Sequence, residues 1–180
     1  MKKAVSALLA LIFCLSLAAC SGGDVDVPEG YKVPEGYKLI SGEDVAYRFF
    51  VPTQWNVSTV TGNSTIAYYS IDDRSIVLVA AYVPEEGLES IDKFWEYTEQ
   101  KYKDIYGDYV FVEKGETTLG GRNAMRYVFT ATIGEGHYKV MQVIATYRNY
   151  YYVFTYTALP ENYDAHLEEV NGMIGVFEFR

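Results

Sequence analysis

The chain has 180 residues, of which 49% are hydrophobic and 22% charged, the balance of a globular protein with room for one ordinary domain. Its formal charge of −9 excludes the basic footprint that nucleic-acid binding requires, and the same sign argues against electrostatic docking to anionic lipid. Aromatic residues make up 16%, mostly from 18 tyrosines, whose apolar ring and polar tip suit half-buried sheet faces and wet contact surfaces.

Lys2 and Lys3 precede an uncharged run from Ala4 to Leu17. That run is shorter than the roughly 20 residues needed to span a bilayer, and it fits the apolar core of an export signal. It leads into Leu17-Ala18-Ala19-Cys20, which resembles the lipobox of bacterial lipoproteins. The small residues admit a peptidase, and the thiol can take a diacylglyceryl group as a thioether. The resemblance implies that residues 1–19 are a signal peptide removed before Cys20, and that lipid on Cys20 anchors the protein at the extracytoplasmic face of the cell membrane. Two or more acyl chains make a stable anchor, where one is marginal. Cys14 lies in the discarded segment, so the mature chain keeps one cysteine, and that thiol is consumed. A disulfide, a cysteine metal site and a cysteine nucleophile are thereby excluded. Without Lys2 and Lys3 the mature part carries 13 bases against 24 acids, a charge of −11.

Residues 20–36 read as the lipidated cysteine and a flexible tether rich in Gly, Pro and acids. The tether contains an exact tandem repeat, Val27-Pro28-Glu29-Gly30-Tyr31-Lys32 and Val33-Pro34-Glu35-Gly36-Tyr37-Lys38. It reads either as a recognition peptide or as a duplicated spacer. The domain is expected over residues 37–180.

Lys38–Ile40 and Ala46–Val51 read as two strands around Ser41-Gly42-Glu43-Asp44, with Pro52 as the stop and Trp55 just after. Thr65–Ile71 and Ser75–Val83 form a second pair around Asp72-Asp73. Ile76-Val77-Leu78-Val79-Ala80-Ala81 is apolar on both faces, which predicts a central strand covered on both sides. Ser90 predicts a helix N-cap, followed by a stripe of Ile91, Phe94, Trp95, Thr98, Tyr102 and Ile105 that ends near Gly107. Four strands follow: Tyr109–Leu119, Asn123–Ile133, Tyr138–Tyr147 and Tyr150–Ala158, with turns at Gly120-Gly121, Gly134-Glu135-Gly136 and Asn149. Pro160 opens a closing helix with Tyr163, Leu167, Val170, Ile174 and Phe177 on one stripe. Two hairpins, a helix, a four-strand meander and a helix predict an α+β fold with an antiparallel sheet of about six to eight strands covered by helices.

Four segments carry a further resemblance: Tyr47-Arg48-Phe49-Phe50-Val51-Pro52-Thr53-Gln54-Trp55, Leu119-Gly120-Gly121-Arg122-Asn123-Ala124, Tyr138-Lys139-Val140-Met141-Gln142, and Tyr150 to Ala158 before the last helix. With these the chain resembles the PsbP-like proteins and their Mog1/PsbP α/β/α sandwich. Members of that group act as non-catalytic partners of other proteins, so the resemblance implies a binding role.

The chemistry-bearing residues are sparse. Only His137 and His166 exist, and no Gly-x-Ser-x-Gly or glycine-rich phosphate loop occurs. Ser70, Asp72 and His137 can be assembled on paper as a triad. Asp72-Asp73 and Glu168-Glu169 offer carboxylates without calcium-loop spacing. No cofactor is expected. Tyr150, Tyr151 and Tyr152 are the candidate binding residues, because alternation sends them to both sheet faces and the exposed ones can stack a glycan or anchor a protein. The expectation is a non-catalytic binding or scaffold module for an envelope protein or glycan, with an envelope hydrolase using an acidic site as the second reading.

Overall fold

The computed structural model describes residues 25, 27, 29–58 and 64–180. The signal segment and Cys20 lie outside the described residues, as does much of the tether.

The strands in chain order are β1 (Tyr37–Leu39), β2 (Tyr47–Arg48), β3 (Phe50–Pro52), β4 (Asn56–Val57), β5 (Ser64–Tyr68), β6 (Ile76–Tyr82), β7 (Val110–Leu119), β8 (Arg122–Ile133), β9 (Gly136–Tyr147), β10 (Tyr150–Ala158) and β11 (Glu178–Phe179). Three helices interrupt them: α1 (Ile91–Ile105), α2 (Pro160–Tyr163) and α3 (Leu167–Val176). Seven strands make one antiparallel sheet in the order β4-β5-β6-β10-β9-β8-β7. The expected meander is therefore present, and β6 pairs with its last strand, Val79 opposite Phe154. The chain leaves β6 near the middle of the sheet and re-enters at the β7 edge, so α1 lies across one face. Ser90 caps α1 by accepting from the Lys93 amide.

Alternation along the long strands divides the interior into two layers. On the α1 side, Trp95 stacks on Tyr127 at 4.0 Å between centroids, Phe94 on Tyr151 at 4.5 Å, and Tyr102 on Phe129 at 5.0 Å. The one amide buried among these rings is satisfied: Gln142 donates to Tyr102 Oη at 3.0 Å and to Thr155 Oγ1 at 3.3 Å. The other side holds Phe49, Trp55, Val79, Met141, Phe154, Tyr156, Val170 and Phe177, under α3 and the early strands. β6 is covered on both faces, as its apolar run requires. The result is an α+β sandwich with one helical layer on each face of a mainly antiparallel sheet.

Several expectations need correction. Ile105 closes the α1 stripe by spacing but is 42% exposed, because the helix has run past the sheet there. The first strand pair does not join the main sheet: β1 pairs with β3, and β2 separates to pair with β11, Arg48 opposite Glu178. The closing helix is broken. α2 ends at Tyr163, which stacks on Tyr156 at 5.0 Å, and α3 begins at Leu167. Phe177 then leaves the helix in extended conformation, so the chain can form β11. A continuous helix would hold Tyr163 and Phe177 on one line, whereas the break lets each meet a different part of the sheet.

The repeat is not used twice in the same way. The Tyr37 amide donates to Pro34 O at 3.1 Å across a turn with Gly36 at φ 81°, and Tyr37 opens β1. Tyr31, from the first copy, lies parallel to Phe50 at 6.0 Å and donates to Glu178 at 2.8 Å, with the Arg48 guanidinium 4.3 Å above its ring. Packing thus reaches back to Tyr31, ahead of the expected domain start at Tyr37.

Candidate functional site

The three candidate tyrosines separate by burial. Tyr151 is 1% exposed, stacked under Phe94, and its hydroxyl donates to Leu88 O at 2.5 Å. Tyr152 is 4% exposed in the opposite layer, edge-on to Tyr47. Both are core residues, because β10 lies inside the sheet with a helical layer on each side. Tyr150 is 41% exposed, since it sits where β10 emerges from its turn. It alone of the three can meet a partner.

The surroundings of Tyr150 are built by two hairpin turns. Arg148 and Asn149 take φ of 46° and 63°, and Gly120 and Gly121 take 56° and 71°. Paired left-handed residues are the backbone of the type I′ turn that closes two-residue hairpins. In a meander, alternate turns fall at the same end of the sheet, so the β7–β8 and β9–β10 turns are neighbours. The β8–β9 register, Ala124 opposite Ala145, sets Arg122 across from Tyr147 when carried to the strand ends. The Arg122 and Arg148 guanidiniums lie 5.2 Å and 5.0 Å from the Tyr147 ring centre. Phe179 stacks on that ring at 4.5 Å, and the Tyr147 hydroxyl donates to Arg180 O. Gly120 must remain glycine for a second reason: a Cβ there would lie 2.6 Å from the Phe179 ring.

This end of the sheet therefore presents Arg122, Arg148, Tyr147, Tyr150 and Arg180 together. Among the described residues, Arg48 and Arg126 have carboxylates within 4.0 Å, Glu178 and Glu113, while Arg122, Arg148 and Arg180 have none. Such a surface can stack planar or sugar groups on Tyr150 and attract anionic ones. The sequence signal for it was two arginines, each beside a hairpin turn of the same meander, and net charge conceals a grouping of that kind.

The histidines lie elsewhere, toward the opposite end. His137 Nδ1 is 3.2 Å from Asp108 Oδ2, and Thr132 donates to Asp108 through its hydroxyl at 2.6 Å and its amide at 2.8 Å. The Thr132 hydroxyl and amide hold the Asp108 carboxyl below its ordinary pKa. Ser70 instead accepts from the Asp73 amide at 3.2 Å, so Ser70, Asp72 and His137 are not joined as a triad. His166 is buried with both ring nitrogens taken, Nε2 at 3.2 Å from Asp73 and Nδ1 at 3.1 Å from Glu169. Glu169 also accepts from Trp55 Nε1 at 2.9 Å and from Gln54 at 2.5 Å, and Tyr69 covers the His166 ring at 4.1 Å. This set fastens α3, the β5–β6 turn and the Trp55 loop together. It leaves no imidazole nitrogen free to move a proton. Asp73 and Glu169, read from sequence as turn and helix-face carboxylates, are the two partners of His166. Among the described residues no group of three or more His, Cys, Asp or Glu side chains is arranged to hold a metal ion, and no helix is long and apolar enough to cross a membrane.

No family model and no curated protein matches the chain. Solved structures do. The cyanobacterial PsbP protein CyanoP from Synechocystis sp. PCC 6803 superposes with a TM-score of 0.61 at 13% identity, over 86% of this chain and 100% of that one. PA94 from Pseudomonas aeruginosa, described as a putative regulator of unknown function, gives 0.56 at 11% identity, over 78% of this chain and 94% of that one. LpqN from Mycobacterium tuberculosis, described as involved in cell envelope biogenesis, gives 0.52 at 13% identity, over 73% and 82%. At these identities the likeness is one of fold, and the chain has the α+β, PsbP-like fold.

Proposed function

We propose that this is a lipid-anchored extracytoplasmic protein whose domain binds and does not catalyse, and that its contact surface is the sheet end around Tyr150. The observation that carries the reading is the contrast between the two ends. At one end an exposed tyrosine stands among arginines without carboxylate partners; at the other, both histidines are engaged with carboxylates. Binding surfaces gather exposed aromatic and arginine side chains, whereas catalysis needs polar groups aimed at a vacant reacting centre. The lipobox-like Leu17-Ala18-Ala19-Cys20 supports the address. The likeness to CyanoP and LpqN is compatible with a non-catalytic, envelope-associated module.

The test is a photo-crosslinking residue placed at Tyr150 in intact cells, with Glu135 in the distant β8–β9 turn as control. The expected result is an adduct at Tyr150 and none at Glu135. Tyr150→Ala is expected to leave the thermal midpoint within about 2 °C of wild type, since an exposed truncation changes stability by roughly 0.5 kcal/mol or less. Turnover of an ester, peptide or glycan by the purified protein, abolished by changing an acidic residue, would overturn the non-catalytic reading.

A further inference from the structure

The described chain begins beside the arginine-bearing end. Tyr31 lies beneath Arg48 and donates to Glu178, the residue before Phe179. Phe179 in turn stacks on Tyr147, the ring that Arg122 and Arg148 flank. Only nine residues separate Glu29 from Cys20. Fully extended they span about 30 Å, so a lipid on Cys20 keeps this part of the domain close to the bilayer. The opposite turn, at Glu135, is separated from it by the twelve-residue strand β9.

Charge points the same way. The chain is acidic overall, and that sum argued against docking on anionic lipid. The acids nearest this end, Glu85, Glu86 and Glu89, are exposed on the β6–α1 loop. That loop is tied by Leu88 to Tyr151, in the α1 layer. The arginines instead surround Tyr147, Tyr152 and Phe179 in the other layer. Packed layers lie about 10 Å apart, and exposed charges are screened over about 8 Å at physiological ionic strength. Local sign, not the total, decides what this face meets.

We propose that the end formed by Arg122, Arg148, Arg180 and Tyr150 is the membrane-facing surface of the domain and seats on anionic lipid headgroups. The arginines meet phosphate, and the Tyr150 ring enters the headgroup layer, where an amphipathic aromatic side chain is favoured. This names the partner of the surface proposed above and rests on the lipid anchor. The acyl chains hold the protein on the membrane, and the arginines fix which way it faces.

The test uses the lipidated protein, purified from membranes and reconstituted in vesicles of phosphatidylcholine with or without phosphatidylglycerol. With Cys20 acylated, an introduced cysteine is the sole free thiol of the mature chain. A fluorophore is attached at Thr146→Cys, beside the proposed surface, or at Glu135→Cys, at the far end, and is read against a headgroup-labelled quencher lipid. Strong quenching is expected at 146 on phosphatidylglycerol vesicles, with little at 135. Omitting phosphatidylglycerol, or raising salt, should remove the difference without releasing the protein. Arg122→Gln with Arg148→Gln should lower the docked-to-undocked ratio by about twenty-five-fold, roughly fivefold per arginine. Equal quenching at both positions overturns this orientation while leaving the anchor intact, as does indifference to phosphatidylglycerol or to the arginine changes. A Tyr150 crosslink to protein or glycan alone also overturns it. Wild-type protein that washes off the vesicles removes the anchor reading and this one with it.

Discussion

Trp95→Ala is expected to cost about 3 to 5 kcal/mol, measured as a fall in the urea midpoint at unchanged slope. Trp95 is 5% exposed and is the central knob of α1. Its indole lies parallel to Tyr127 at 4.0 Å and touches the rings of Tyr102 and Phe129 at 6.3 Å and 6.1 Å. The sheet beneath is held by long ladders and cannot move up to fill the space, so most of the cavity should persist. Domains of this size are stable by about 5 to 15 kcal/mol, which makes this one truncation a large fraction of the total. A loss below about 1 kcal/mol would mean that α1 is not fastened to the sheet through this side chain.

Alkaline pH is expected to unfold the protein cooperatively, and the cause is its tyrosine-rich core. Burial pushes Tyr47 up to about 12, with the Thr65 hydrogen bond partly opposing the shift. Burial likewise raises Tyr82, Tyr102, Tyr127, Tyr156 and Tyr163. In the unfolded chain such rings ionise near pH 10. The folded values lie above the unfolded one, so the stability tied to keeping these phenols neutral is complete below about pH 10 and is lost as pH rises. For Tyr47 the window runs from about 10 to about 12, and the other rings extend it upward. Each ring neutral in the fold and ionised outside it steepens the loss by about 1.4 kcal/mol per pH unit. A few such rings exhaust the stability of an ordinary domain within one or two units, which puts the midpoint at about pH 11 to 12. Tyrosinate absorbance and far-ultraviolet circular dichroism should change together for the buried set. Ionisation of these rings with the dichroism still native would contradict the packing described.

The strength of each local signal explains how much could be read from sequence. The meander was legible because Gly120-Gly121 and Arg148-Asn149 are the residues that two-residue turns demand, and strand lengths follow from turn positions. The α1 stripe was legible up to Ile105, where spacing continued but the sheet did not. β11 was invisible: two residues, Glu178 and Phe179, become a strand only because Tyr47 and Arg48 are there to pair with them. The break before α3 was hidden too, since Tyr163 to Phe177 has an unbroken helical period and what interrupts it is tertiary. His166 turns toward Asp73, far away in sequence. At the candidate site, alternation correctly sent Tyr151 one way and Tyr150 and Tyr152 the other. It could not show that both faces are roofed, which leaves Tyr150 exposed only because it is at a strand end. The arginines were missed because net charge averages over a surface on which their acidic counterparts lie in another layer.

The account turns on where the protein is held, and one measurement addresses that most directly. Intact-mass and N-terminal peptide mass spectrometry of the mature protein, recovered from the membrane fraction, should find the chain beginning at Cys20. That cysteine should carry a diacylglyceryl thioether, and Cys20→Ala should accumulate as uncleaved precursor or escape as soluble protein. Mature protein with an unmodified Cys20, or a mature chain beginning at another residue, would contradict the anchor and the membrane-facing orientation built on it.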